Sequence, residues 1–280
     1  MPTLAPTHRR LVRYPTAMDA FLGKEAFPGP TIGTGAGTAP GSYAGQAHFT
    51  GCIAFCNWRR DEVAAVLPDE LELAPNTSAA AELHPVALVF GEQTEGATIF
   101  GGVTFRMGVN YHECAFAIPF VKHRRGRYLH TFVPRMYSSF FPATWVGNAH
   151  YGFGKEMGTM RWDGSLFTAA SADGTTVLRA SIEPTGEWVP APRCDLPNFA
   201  AMRAVFALPV VGRRSDGTYI TSYFGWDFGA AHVRPARAAI SIIAGLARGV
   251  NPRSCATVAS GTFEVRSMIW RLSWPVPCRF

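Results

Sequence analysis

Apolar and polar residues alternate with a period of two along much of the chain, the period of a strand whose successive side chains face opposite ways. His48 to Trp58, Gly102 to Val121, Tyr128 to Tyr137 and Gly261 to Trp274 all read this way, and His84 to Phe90 is a β-branched apolar run. Asp216-Gly217 between two apolar segments is a hairpin signal. Helical signals are few. Asp61 to Leu67 reads as one short helix that stops before Pro68, because the residue preceding a proline avoids the αR region. A second helix is expected from Pro235, a favourable first position, to Arg248, with Gly249 as its stop and Ile240, Ile243 and Ala247 on one face. The pattern predicts a mainly β fold over residues 1–280: one domain, an antiparallel barrel or cone around an apolar interior, with a few peripheral helices. Residues 1–45 read as an irregular arm, crowded with Gly, Pro, Thr and Ala from Pro28 onward.

Composition narrows the functional classes. Of 280 residues, 48% are hydrophobic and 16% charged, far too apolar for a disordered chain. The longest apolar stretch of helical character, Ala238 to Ala247, is much shorter than the ~20 residues that span a bilayer, so no membrane association is expected. Met1 to Pro15 carries Arg9, Arg10 and Arg13 without the apolar block of a signal peptide, which predicts a cytoplasmic protein. In that setting the sequon Asn76-Thr77-Ser78 has no consequence. Six cysteines are scattered, and the close pair Cys52 and Cys56 has no second pair to complete a zinc site. They read as free thiols, and no metal is expected. Gly33-Thr34-Gly35-Ala36-Gly37 lacks the third glycine of a dinucleotide fingerprint, since Thr38 follows and no strand precedes; no cofactor is expected. The net charge of +6 is spread along the chain. Its one cluster, Lys122 to Arg127, reads as a solvated hairpin tip rather than a nucleic-acid patch.

One count points to chemistry. Of 26 basic residues only Lys24, Lys122 and Lys155 are lysines, and lysine, unlike arginine, can lose its proton and become a nucleophile. Strand parity from Val103 sets Val103, Phe105, Met107, Val109, Tyr111, Glu113, Ala115 and Ala117 on one face, so Glu113 is the lone carboxylate on an apolar surface. The same parity groups Tyr151, Phe153, Lys155 and Met157, and sends Glu156 to the opposite side. A lysine among aromatics and a methionine is a candidate buried amine, whose charged form burial disfavours. A structural ion pair with Glu113, or a lysine stem laid over aromatic rings, accounts for the same pattern.

The segment Gly147-Asn148-Ala149-His150-Tyr151-Gly152-Phe153-Gly154-Lys155-Glu156 resembles the reactive-lysine signature of the acetoacetate decarboxylase-like proteins, agreeing at Gly147, Tyr151, Gly152, Phe153 and Lys155. Tyr111-x-Glu113 is similar to that family's Tyr-x-Glu element, and Asp61 to Leu73, with Leu67-Pro68 followed by Leu71, to its helix and turn. The likeness covers roughly residues 48 to 165. It implies an antiparallel β cone around an apolar cavity and a Schiff-base lysine; acetoacetate decarboxylase is itself the standard instance of a lysine activated by desolvation or a neighbouring cation. On this reading Lys155 and Glu113 are catalytic, and Tyr111, Tyr151, Phe153, Met157 and Arg135 contact the substrate. That substrate is a small keto acid or an apolar carbonyl compound, and the enzyme is expected to be a homo-oligomer. Arg9, Arg10, Arg13 and Arg135 are the candidates for a substrate carboxylate. The departures at Asn148-Ala149, Gly154 and Glu156 bear on the substrate, leaving decarboxylation and aldol condensation with dehydration both open. A non-catalytic protein that holds a hydrophobic small molecule in the barrel is the other reading.

Overall fold

The computed structural model describes residues 43–74, 82–100, 103–195, 199–243, 257–258 and 261–278. Lys24, the three N-terminal arginines, the Gly33 to Gly37 segment, the sequon and Cys255 lie outside them. In chain order the first half comprises β1 (Tyr43–Arg59), α1 (Arg60–Ala64), β2 (Leu71–Leu73), β3 (Leu83–Phe100), β4 (Val103–Arg106), β5 (Tyr111–His123), β6 (His130–Ser138), α2 (Phe141–Tyr151) and β7 (Lys155–Trp162). Next come β8 (Leu166–Ser171), β9 (Thr176–Pro184), β10 (Val189–Pro190), α3 (Phe199–Phe206), β11 (Val210–Arg213), β12 (Tyr219–Ser222) and β13 (Phe224–Asp227). The chain ends with β14 (His232–Ile242), β15 (Thr257–Val258), β16 (Gly261–Ser273) and β17 (Val276–Pro277).

Nine strands close a ring in the order β1, β3, β5, β6, β7, β8, β9, β14, β16 and back to β1. Closure leaves the ring no free edge. Every junction in it is antiparallel except β6 with β7, which run parallel in the register Met136↔Lys155. Parallel neighbours need a crossover rather than a hairpin, and α2 supplies it. The mainly β barrel expected from the sequence is therefore present, with one parallel seam at the lysine.

Both faces of the front strands are buried, each against a different core. Cys114, Phe116 and Ile118 of β5 join Leu88, Phe90, Phe167, Leu178 and Ile240 in the ring interior. The alternate residue Ala117 packs with Ala87, Val133, Met136, Tyr151, Phe199 and Met202, in a second core beneath α3. The cavity described below lies on this second side, where β11, β12, β13, β16 and β17 close a second ring of strands with β1, β3, β5 and β6 and line it together with α2 and α3.

Two sequence expectations are corrected here. The helix expected from Pro235 to Arg248 is the strand β14 as far as Ile242, and residues 244–250 lie outside the described residues. Ala238 and Ile240 are buried while Arg237, Ala239 and Ser241 are exposed, a period of two that the alanine content disguised as helical. Ladders with β16 and β9 on its two sides override the local helix propensity. The long strand expected from Gly102 to Val121 is two strands, broken at residues 107–110, where Gly108 has φ of 64°. Val103 and Phe105 are consequently exposed, and the apolar face assigned by parity begins only at Tyr111. Other expectations stand as read: α1 turns over before Pro68, the Lys122 to Arg127 cluster spans the end of β5 and the turn to β6, and Asp216-Gly217 joins β11 to β12.

Candidate active site

α2 and β7 bring the lysine into place. Pro142 in the first turn of α2 loses no intrahelical hydrogen bond, and Gly152 ends the helix at φ of 66°, in the left-handed region that favours glycine. A Cβ at Gly152 would also meet the Arg213 backbone at 2.6 Å. These two residues were the sequence signal of a helix where strand parity had been assumed: Tyr151 is its last residue, and β7 starts only at Lys155. Tyr151, Phe153 and Lys155 nonetheless face one cavity.

Two neighbours fix the Lys155 backbone and stem. The Asn148 Oδ1 accepts the Lys155 N–H at 2.8 Å and its Nδ2 donates to the Lys155 carbonyl at 2.8 Å, so one amide side chain clamps the residue from α2. The lysine stem crosses the helix at Gly147, where an added Cβ would lie 2.6 Å from Cδ and 2.9 Å from Cε.

The Lys155 Nζ donates to Glu113 Oε1 at 2.5 Å, and the two side chains are 9% and 12% exposed. The other carboxylate oxygen, Oε2, accepts from Gln93 Nε2 at 3.4 Å, while Gln93 Oε1 takes the indole N–H of Trp270 at 2.6 Å. Trp270, Gln93, Glu113 and Lys155 thus form one chain of hydrogen bonds drawn from β16, β3, β5 and β7. Tyr111 is buried in the same wall, its ring 5.3 Å from that of Phe140. Burial, and then the Glu113 carboxylate, push its phenol well above the usual tyrosine value, so it keeps its proton and can donate a hydrogen bond. Burial likewise raises the Tyr151 phenol to about 12, and its hydroxyl donates to the Ser273 carbonyl at 3.1 Å.

The cavity has a volume of about 380 Å³. Glu113 and Lys155 are the charged residues that line it among the described residues, with the imidazole of His150 at its exposed mouth. Two of the residues expected at the substrate stand elsewhere. Met157 lies off the cavity lining, its sulfur taking the Thr144 hydroxyl at 3.4 Å. Arg135 is also off the lining: it pairs with Glu156 at 2.9 Å and donates to the Tyr137 hydroxyl at 3.2 Å. Glu156 is thereby occupied on the side away from Lys155, as parity within β7 requires. Gln93, Trp270 and Asn148 were not singled out as site residues in the sequence. No described cluster of His, Cys, Asp and Glu is arranged to hold a metal ion, and no described helix is long and apolar enough to cross a membrane.

Comparison with solved structures shows this chain to share the fold of the acetoacetate decarboxylase-like enzymes. The enduracididine biosynthesis enzyme MppR, in its complex with pyruvate, superposes with a TM-score of 0.55 at 16% identity, over 90% of this chain and 96% of that one. Acetoacetate decarboxylase from Legionella pneumophila gives a TM-score of 0.56 at 11% identity, over 92% and 98% of the two chains. An acetoacetate decarboxylase-like enzyme from Sphingomonas wittichii RW1 gives 0.52 at 13% identity, over 84% and 93%. No family model matches the sequence, and no curated protein sequence matches it.

Proposed function

We propose that this chain is a Schiff-base-forming lyase in which Lys155 is the nucleophile and Glu113 moves the protons. The observation that carries the reading is the contact of 2.5 Å between Lys155 Nζ and Glu113 Oε1 within an otherwise apolar cavity. The fold shared with MppR, solved with pyruvate and with the condensation product of pyruvate and imidazole 4-carboxaldehyde, supports the same class of chemistry.

Glu113 takes a proton from the Lys155 ammonium, and the neutral nitrogen attacks the substrate carbonyl carbon as the carbonyl electron pair moves to oxygen. Glu113 returns the proton to that oxygen and then carries a second one to it from the nitrogen, so the oxygen leaves as water and an iminium remains. The iminium then draws electrons from a bond on the adjacent carbon. If that bond holds CO2, as in a small β-keto acid, the result is decarboxylation. Where it holds hydrogen, the enamine that forms adds to an aldehyde, and water is lost: an aldol condensation with dehydration. Gln93 and Trp270 hold the carboxylate in register, and Tyr111 donates a hydrogen bond to the developing oxyanion.

Incubation with keto acids and aldehydes in the presence of borohydride, followed by peptide mass spectrometry, tests the proposal. The expected result is a reduced adduct on Lys155 that is lost in Lys155→Arg; an adduct-free Lys155 across the panel refutes it. The second reading, a protein that binds a hydrophobic small molecule without turning it over, is favoured by the apolar wall of the cavity and predicts binding without any covalent adduct.

A further inference from the structure

A small keto acid uses little of what surrounds Lys155. The cavity of about 380 Å³ falls within the ~300–1,000 Å³ of pockets that bury most of a drug-sized ligand. Its far wall is a run of rings in mutual contact: Phe153 stacks on Phe224 at 6.2 Å, Phe224 on Trp226 at 5.3 Å, and Phe206 meets Trp226 edge-on at 4.8 Å. The apolar character continues to the rim, where the large side chains of Met107, Val146 and Trp274 line the opening while 39%, 40% and 44% exposed. Exposed hydrophobic residues gathered at the mouth of an apolar pocket mark a ligand-binding opening rather than scattered surface.

Charge runs the other way. Among the described residues that line the cavity, the one basic side chain besides the His150 imidazole at the mouth is Lys155, and it is paired with Glu113. Of the four arginines the sequence offered for a substrate carboxylate, Arg135 is engaged by Glu156 away from the cavity, and Arg9, Arg10 and Arg13 lie outside the described residues. A carboxylate brought into this space would be desolvated without a described counter-ion, which is strongly unfavourable.

We propose that the carbonyl compound taken by Lys155 is an uncharged ketone or aldehyde with an aromatic body that lies along the Phe153, Phe224, Trp226 and Phe206 wall. The proposal rests on the imine chemistry above and narrows its substrate. Nζ bonds to the carbonyl carbon and the oxygen departs as water, leaving the iminium. With no carboxylate to lose, the adjacent carbon gives up a proton, its C–H electrons form the enamine, and the chemistry takes the aldol branch.

Methyl ketones of one intrinsic reactivity test this: acetone, benzylacetone and its naphthyl counterpart, with levulinate as the charged member. Each is titrated against the full-length protein with borohydride, and the half-saturating concentration for the Lys155 adduct is read by peptide mass spectrometry. From acetone to the naphthyl ketone that concentration should fall at least about tenfold, levulinate should do no better than acetone, and in Trp226→Ala the ratio of the acetone to the naphthyl value should shrink. Levulinate saturating at or below the naphthyl ketone would reveal a carboxylate anchor, whatever its source, and overturn the substrate class while leaving the imine intact. If no ketone and no keto acid labels Lys155, the imine reading itself fails and the substrate proposal falls with it.

Discussion

Replacing Gly147 by alanine should separate the position of the nucleophile from the stability of the fold. The new methyl carbon would lie 2.6 Å from Lys155 Cδ and 2.9 Å from Cε, against ~3.5–4.0 Å for carbon atoms in contact. The stem must therefore retreat by about 1 Å. Stability has two opposing contributions: alanine in place of glycine inside a helix gains about 1 kcal/mol, and accommodating an extra methyl in a packed site costs ~1–3 kcal/mol. The net change is no more than about 2 kcal/mol. The rate is more sensitive, because a displacement of ~1 Å of a reacting group can cost ~10²-fold. Single-turnover adduct formation at Lys155 should slow by about two orders of magnitude while the thermal melt moves by only a few degrees. An unchanged rate would mean that the stem has another path to the cavity, and a collapse of the melt would mean that it cannot yield; either refutes the reasoning.

Other perturbations address other parts of the site and fold. Glu113→Gln keeps the shape but not the proton, and should lower the rate of adduct formation by ~10²–10⁴; a full rate would remove Glu113 from the chemistry. Glu156→Lys changes a half-exposed side chain on the side of β7 away from Lys155, so a pH–rate profile should shift by less than about one unit, and a larger shift would show the two charges to be coupled. His84 is buried with Nε2 at 2.9 Å from the Pro119 carbonyl, and burial pushes its imidazole down to about 4. The unfolded chain binds this proton below pH ~6.5 and the folded chain only near 4, so stability falls as pH drops through that window, by about 3 kcal/mol. In His84→Gln this pH dependence should disappear from denaturant titrations, and its persistence would assign the acid sensitivity elsewhere.

Much of the site is legible in the sequence because a strand period of two is local. Tyr111 and Glu113 fall on the cavity side of β5 by parity alone, and Lys155 and Glu156 separate by the same rule in β7. The rule failed where the chain was not a strand. Gly108 breaks the run after β4, and the segment before Lys155 is the end of a helix marked by Pro142 in its first turn and Gly152 at its close. β14 failed differently: its alanines suit a helix, and only ladders to strands remote in sequence decide otherwise. Gln93 was invisible for a related reason. It stands opposite Tyr111 in the pairing of β3 with β5, so it reaches the Glu113 carboxylate diagonally across the ladder, and nothing before register is known connects residues twenty apart. Trp270 is more distant still, reaching Gln93 from the last long strand.

The two buried faces of β5 have a consequence for how this protein can vary. Cys114, Phe116 and Ile118 belong to the ring interior, whereas Ala115 and Ala117 line the cavity. Alternate letters of one short stretch of sequence therefore answer to different demands. Enlarging Ala115 or Ala117 would shorten the pocket without touching the ring, and repacking the ring at Phe116 or Ile118 would leave the cavity wall in place. A lineage or an engineer could retune which molecules are accepted while conserving thermal robustness, or the reverse. The pleat of a single strand thus keeps selectivity and durability on separate dials.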